Sequence, residues 1–132
     1  MQDTITFKIP FYDIDPMQVV WHGNYIKYME CGRCAFLEKR QMTYAHMTQL
    51  GVVFPVVSLK IKYIRSCVFG QEVSLTTTLE PCDNCLIFNY VLRDAKTGDK
   101  LMQAQTRQMA VDMTTKQSLF ELPKACLDRL KE

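Results

Sequence analysis

Ile5-Thr6-Phe7-Lys8-Ile9 alternates apolar and polar side chains, the period of a half-buried strand, and Pro10 limits its continuation. A polar loop follows over residues 12–23. From Asn24 the period changes: Tyr25, Tyr28, Met29, Gly32, Ala35, Phe36 and Lys39 recur at helical steps, while Lys27, Glu30, Arg33, Glu38 and Arg40 lie largely elsewhere. This predicts a long amphipathic helix with Asn24 as its N-cap, the side-chain oxygen accepting from an orphan N–H of the first turn. A glycine inside a helix costs about 1 kcal/mol relative to alanine, so Gly32 points to a close approach against another backbone, for which a sheet is the natural neighbour.

Residues 41–50 are mixed in pattern and fit a short helix ended by Gly51. Beyond it, residues 52–66, 72–80, 85–94 and 100–113 are rich in Val, Ile, Thr, Phe and Tyr and read as four strands. The connections at 67–71, 81–84 and 95–99 are each of hairpin size. A short helix over 119–130, with Pro123 in its first turn, closes the chain. One strand, a long helix and four strands joined by short turns predict an α+β fold, an antiparallel sheet with a helix on one face, in a single domain over residues 1–132.

Composition narrows the function classes. Apolar residues make up 48% and charged residues 23%, the balance of a chain that buries a core. The formal charge is +2, too small for a protein that works on phosphate backbones, so no nucleic-acid partner is expected. The sequence has no apolar run of about 18 residues and its start lacks the features of a signal peptide, so no membrane partner and a cytoplasmic location are expected. The six cysteines are then expected as free thiols. Cys31/Cys34 and Cys82/Cys85 form two C-x-x-C pairs, but one lies in the helix and the other spans a turn without zinc-knuckle glycines, so no metal site is expected. His46 shows no partner, and no Ser-His-Asp set or phosphate loop appears.

The chemistry concentrates in residues 11–25, Phe-Tyr-Asp-Ile-Asp-Pro-Met-Gln-Val-Val-Trp-His-Gly-Asn-Tyr. A carboxylate stands here beside a helix start, whose unpaired N–H groups carry positive partial charge and can hold a developing oxyanion. A carboxylate so placed can attack a carbonyl or activate water. Physics alone leaves Asp15 equally readable as a turn residue. Trp21, with Val19 and Val20, supplies apolar surface for an acyl group.

Asp15-Pro16, Val20-Trp21 and Asn24-Tyr25, followed by the helix over 26–37, resemble the active-site region of the 4-hydroxybenzoyl-CoA thioesterases. Pro55-Val56-Val57-Ser58 and residues 63–70 extend the likeness. The resemblance implies a hotdog fold, an antiparallel sheet wrapped around a central helix, assembled as a homodimer or homotetramer with sites at the subunit interface. It implies hydrolysis of an acyl-CoA or aryl-CoA thioester without a cofactor. Asp15 takes the place of the nucleophile or general base, and the backbone N–H of His22 that of the oxyanion contact. Trp21, Tyr25, Ser58 and Arg65 fall at substrate-binding positions, Arg65 as a phosphate partner alongside Lys60 and Lys62, which alternation turns to the opposite face. Asp13 is read as a turn acid or a group behind the catalytic one. Two departures stand out: Gln18 occupies a position where relatives often carry Gly, and Gln71 one where Asp is frequent. A dehydratase using His22 with a carboxylate, or a non-catalytic acyl-CoA-binding module, are the alternatives.

Overall fold

The computed structural model describes residues 1–80 and 82–131. Its main sheet has five antiparallel strands in the order β1-β4-β5-β6-β3, with β1 at Gln2–Lys8, β3 at Val56–Tyr63, β4 at Glu72–Glu80, β5 at Cys85–Asp94 and β6 at Lys100–Met109. Helix α1, Asn24–Lys39, packs on one face of the sheet, over β4 and β1. The expected start of α1 and the expected limits of β4 and β5 are met, because each coincides with a local break in hydrophobic period, whereas β1 begins three residues before the alternation at Ile5 and the closing helix is confined to residues 124–129 of the expected 119–130.

The α1 face toward the sheet carries Tyr25, Tyr28, Met29 and Phe36, all buried against strand residues such as Leu75, Phe88 and Leu92. Each such side chain contributes about 1.5–3 kcal/mol of apolar burial. Gly32 sits where the contact is tightest: a Cβ there would lie 2.6 Å from Leu75 Cδ2 and 2.7 Å from Thr77 Oγ1. The close approach expected from the glycine is present, although what comes close is a pair of β4 side chains rather than a second backbone.

Several expectations are corrected. The strand over 52–66 divides into β2, Val52–Val53, and β3, because Pro55 offers no N–H and the chain turns there. The strand over 100–113 divides likewise, and its end, β7 at Val111–Asp112, pairs with β2 in a separate ribbon. The connection at 67–71 is no hairpin: β3 pairs with β6 at one edge while β4 lies between β1 and β5, so the segment crosses from one part of the sheet to another. Paired bonds anchor it at the end of β1, Ile9 N–H to Gln71 O and Gly70 N–H to Ile9 O, both 2.9 Å. The two later connections do close hairpins, β4–β5 and β5–β6.

Asn24 is not the acceptor of an N-cap; Gly23 holds that position, and the Asn24 side chain instead donates Nδ2–H to Asp13 O at 3.0 Å, because the preceding loop folds back over the first turn. The expectation of six free thiols fails for one pair. The β4–β5 turn brings Cys82 and Cys85 to a Cα separation of 5.5 Å, within disulfide range, and they are bonded. Cys31, Cys34, Cys67 and Cys126 remain free. Helix α2, Tyr44–Leu50, has Thr43 as N-cap in a reciprocal capping box with His46, and Gly51 in the left-handed conformation ends it. Helix α3 runs Lys124–Arg129 behind Pro123. Among the described residues no helix is long and apolar enough to cross a membrane.

Candidate active site

The loop between β1 and α1 is a small folded unit. A 3₁₀ turn over Phe11–Asp13 leads into an antiparallel bridge between Ile14 and Val20. Its tip is a turn in which Asp15 O accepts the Gln18 N–H and the Asp15 N–H reaches Val19 O, both 2.9 Å. Pro16 suits the second position of such a turn, and Asp15 Oδ1 accepts the Met17 N–H at 2.8 Å, the local bond that makes aspartate a turn former. Gln18 closes the turn at φ +68°, the left-handed region. The glycine-like position thus keeps its glycine-like backbone although the residue is glutamine.

Asp15 is half-buried, and among the described residues nothing donates to its Oδ2. One oxygen is thus engaged in the turn and the other is not. His22 is exposed; its main-chain oxygen accepts the Tyr63 hydroxyl at 2.9 Å, and among the described residues no acceptor takes its N–H. Trp21, 51% exposed, lies across Gly23 so closely that a Cβ on Gly23 would sit 2.4 Å from the indole, which explains the glycine there. The Trp21 and His22 rings are 5.2 Å apart, and the His22 ring meets the Tyr63 ring edge-on at 6.4 Å. An aromatic wall therefore stands beside an unpaired main-chain donor at the start of α1.

Besides the Tyr63 bond to His22, the loop is attached to its surroundings at two places. Val20 N–H bonds Cys67 O at 2.9 Å. Asp13, 3% exposed, makes the other attachment: its main-chain oxygen accepts from Trp21 N–H and Asn24 Nδ2, both at 3.0 Å. Its carboxylate accepts from Lys27 Nζ at 2.6 Å and from the Tyr28 hydroxyl at 2.7 Å. Burial, and then the bond to Asp13, push the Tyr28 phenol above its ordinary range, so it stays a proton donor. The sequence left Asp13 readable as a turn acid or a group behind the catalytic one, without its partners on α1. The available signal was an acid in the loop followed by a cation and a phenol on adjacent positions of α1.

The other sequence-derived residues are not all gathered here. Tyr25 is 3% exposed, and its hydroxyl accepts the Cys67 N–H at 3.1 Å; burial raises its pKa. It stands behind Tyr63, with ring centroids 5.1 Å apart, and serves the main chain. Ser58 pairs with Arg107 beside a register shift on β3 and lies roughly 16 Å along the strand from Tyr63. Arg65, exposed, lies just past Tyr63 at the loop's end of β3 and pairs with Asp99 at 3.2 Å.

Because α1 covers β4 and β1, the inner side of β3 is left open, with Val57 56%, Leu59 41% and Tyr63 47% exposed on an edge strand. At the far end of α1 an apolar cavity of about 230 Å³ opens among Arg33, Leu37, Met42, Met47, Phe54 and Gln108. The loop thus offers a carboxylate and an unpaired main-chain N–H, with an apolar surface on β3 that is open rather than enclosed.

Comparison with known proteins fits this geometry. The family model of the thioesterase-like superfamily matches residues 9–130. A Bacillus subtilis protein named "Putative acyl-CoA thioesterase YneP" is 26% identical over 80% of this chain and 76% of its own. The structure of Slr0204, a 1,4-dihydroxy-2-naphthoyl-CoA thioesterase from Synechocystis, superposes with a TM-score of 0.89 at 15% identity, covering 98% of this chain and 96% of that one. A Staphylococcus aureus protein, SAV2348, solved in complex with CoA, superposes at TM-score 0.89 and 14% identity over 98% of this chain and 82% of that one. These two likenesses establish the hotdog architecture. With a carboxylate and an unpaired N–H set on the loop before its central helix, the chain belongs to the thioesterase-like superfamily and is a thioesterase of the hotdog fold.

Proposed function

We propose that the protein hydrolyses an acyl-CoA or aryl-CoA thioester to the free acid and CoA, with Asp15 as nucleophile or general base and the His22 N–H as oxyanion donor. The observation that carries this reading is the Asp15 carboxylate, held to its turn through Oδ1 and with no donor to Oδ2 among the described residues, on the same short loop as an unpaired main-chain N–H. The thioester carbonyl carbon is attacked by the Asp15 carboxylate, or by a water whose proton Asp15 accepts. Negative charge builds on the carbonyl oxygen facing the His22 N–H. The carbon–sulfur bond then breaks and CoA departs as the thiolate, which takes the proton held by Asp15 in the general-base form and one from solvent in the nucleophilic form. In the nucleophilic form, water cleaves the mixed anhydride on Asp15 and restores the carboxylate.

The Trp21 ring supplies an apolar rest for the acyl group, and Arg65 lies at the right end of β3 to meet a CoA phosphate once it leaves Asp99. A homodimer formed by antiparallel pairing of the open β3 edges supplies the missing wall. It sets the start of one β3 beside the end of the other, and so turns the apolar cavity next to Phe54 toward the His22 loop of the second copy.

Release of free CoA from a panel of acyl and aryl esters, run also with acyl-carrier-protein thioesters, tests the reading. Asp15→Asn is expected to lower kcat/KM on the best substrate by at least about 10²-fold, the scale on which a lost electrostatic contact to a transition state is felt. Parental activity in this variant overturns the mechanism.

A further inference from the structure

We infer that Asp13 is a positioning residue: its carboxylate sets the loop bearing Asp15 and His22 at its working angle on α1. The inference rests on the reading of Asp15 above.

Asp13 differs from the rest of the loop in where its bonds go. Asp15 bonds only within its own turn, to Met17, Gln18 and Val19. His22 reaches outward only through its main-chain oxygen, to Tyr63. Neither therefore determines its own placement relative to the helix. Asp13 does: its main-chain oxygen closes the neck of the loop on Trp21 and Asn24, and its two carboxylate oxygens take separate donors from the helix, Lys27 Nζ on Oδ1 and the Tyr28 hydroxyl on Oδ2. Two different donors on two oxygens fix the rotation of the carboxyl plane, and with it the backbone that continues to Asp15.

The side chain and the backbone contributions separate cleanly. Substitution leaves the main-chain bonds of Asp13 available, so the loop neck is retained. A carboxamide of the same shape is neutral and has one acceptor oxygen: with that oxygen on Lys27 its N–H₂ forces the Tyr28 hydroxyl to turn from donor to acceptor, and in either orientation the ion pair to Lys27 is lost. At 3% exposure, water does not replace the lost partner, and the ammonium of Lys27, half-exposed, swings to solvent or to the nearest remaining carboxylate. The expected result is a loop still folded but turned on its base. A misplacement of about 1 Å at reacting groups costs on the order of 10²-fold in rate.

The test is steady-state hydrolysis of the best CoA ester by Asp13→Asn, Tyr28→Phe and Lys27→Met, with thermal melting of each. Asp13→Asn is expected to lower kcat by roughly 10- to 100-fold with KM within about threefold of the parent, in protein that melts cooperatively. Tyr28→Phe and Lys27→Met, each removing one donor, are expected to give smaller losses of the same kind. Parental kcat in a folded Asp13→Asn enzyme, or a loss confined to KM, overturns the inference. Should Asp13→Asn fail to fold, the two single-donor variants decide: lowered kcat at unchanged KM supports positioning, and parental kcat in both refutes it. Asp15→Asn separates the two levels, since parental activity there removes the mechanism and this inference with it. An inactive Asp15→Asn beside an unimpaired Asp13→Asn removes this inference alone.

Discussion

Gln18 adopts φ +68°, a conformation in which a Cβ crowds the following carbonyl at a cost of about 1–2 kcal/mol. Glycine has no such penalty but loses more freedom on folding, by about 0.4–1 kcal/mol. The first effect outweighs the second, so Gln18→Gly is expected to raise stability by up to about 1 kcal/mol, read as a higher midpoint in urea at unchanged m-value. Since the side chain is exposed and the turn bonds are main-chain, kcat should stay near parental. What could be read from the sequence at this scale follows the same division. Asp15 stood out through the residues around it, and its turn-forming chemistry is local. For Asp13 the sequence left a turn acid and a group behind the catalytic one side by side; its partners were not legible, because they lie on α1 at 14 and 15 residues' distance and meet it only once the helix has docked. Tyr25 was placed at the substrate by its neighbours in sequence, yet the fold turns its hydroxyl to the Cys67 N–H.

Helix α1 shows how a local propensity is reversed by packing. On an isolated helix, replacing glycine by alanine gains about 1 kcal/mol. At Gly32 the added methyl group would enter the space of Leu75 Cδ2 and Thr77 Oγ1, and overpacking of a buried contact costs about 1–3 kcal/mol. Gly32→Ala is therefore expected to lower stability, measured as a reduced free energy of unfolding in denaturant; a gain would mean that the helix has room to move off β4. The start and end of α1, and the limits of β4 and β5, were legible because period changes and turn residues mark them. The order of strands was not: alternation tells which face of a strand is buried, while pairing depends on which edge finds a partner. Hence the 67–71 connection was read as a hairpin when β6 had already taken β3. The Cys82–Cys85 bond escaped for a related reason, since the expected compartment argued against disulfides while the turn geometry brings the two residues together.

For the whole molecule, the open question of enclosure centres on β3. A central helix lying over β1 and β4 leaves the other end of the sheet without a covering layer, and β3 there exposes Val57, Leu59 and Tyr63 beside a row of unpaired main-chain groups. An exposed apolar edge of this kind invites pairing with another chain unless charge or proline blunts it. Lys60 and Lys62 do not guard this face, since alternation turns them to the outer side of the sheet with Asn89, Gln103 and Gln105. A second copy joined through β3 would satisfy the edge, bury the apolar side chains and bring apolar wall to the loop of Asp15 in one step. Leu59→Lys places a charge in that contact without touching the loop. In the dimer reading it shifts the sedimentation of the protein toward the monomer and lowers kcat/KM with it, and activity recovers as protein concentration is raised. If Leu59→Lys sediments as a monomer yet hydrolyses CoA esters at the parental rate, one chain encloses its own substrate and the catalytic loop works without a partner.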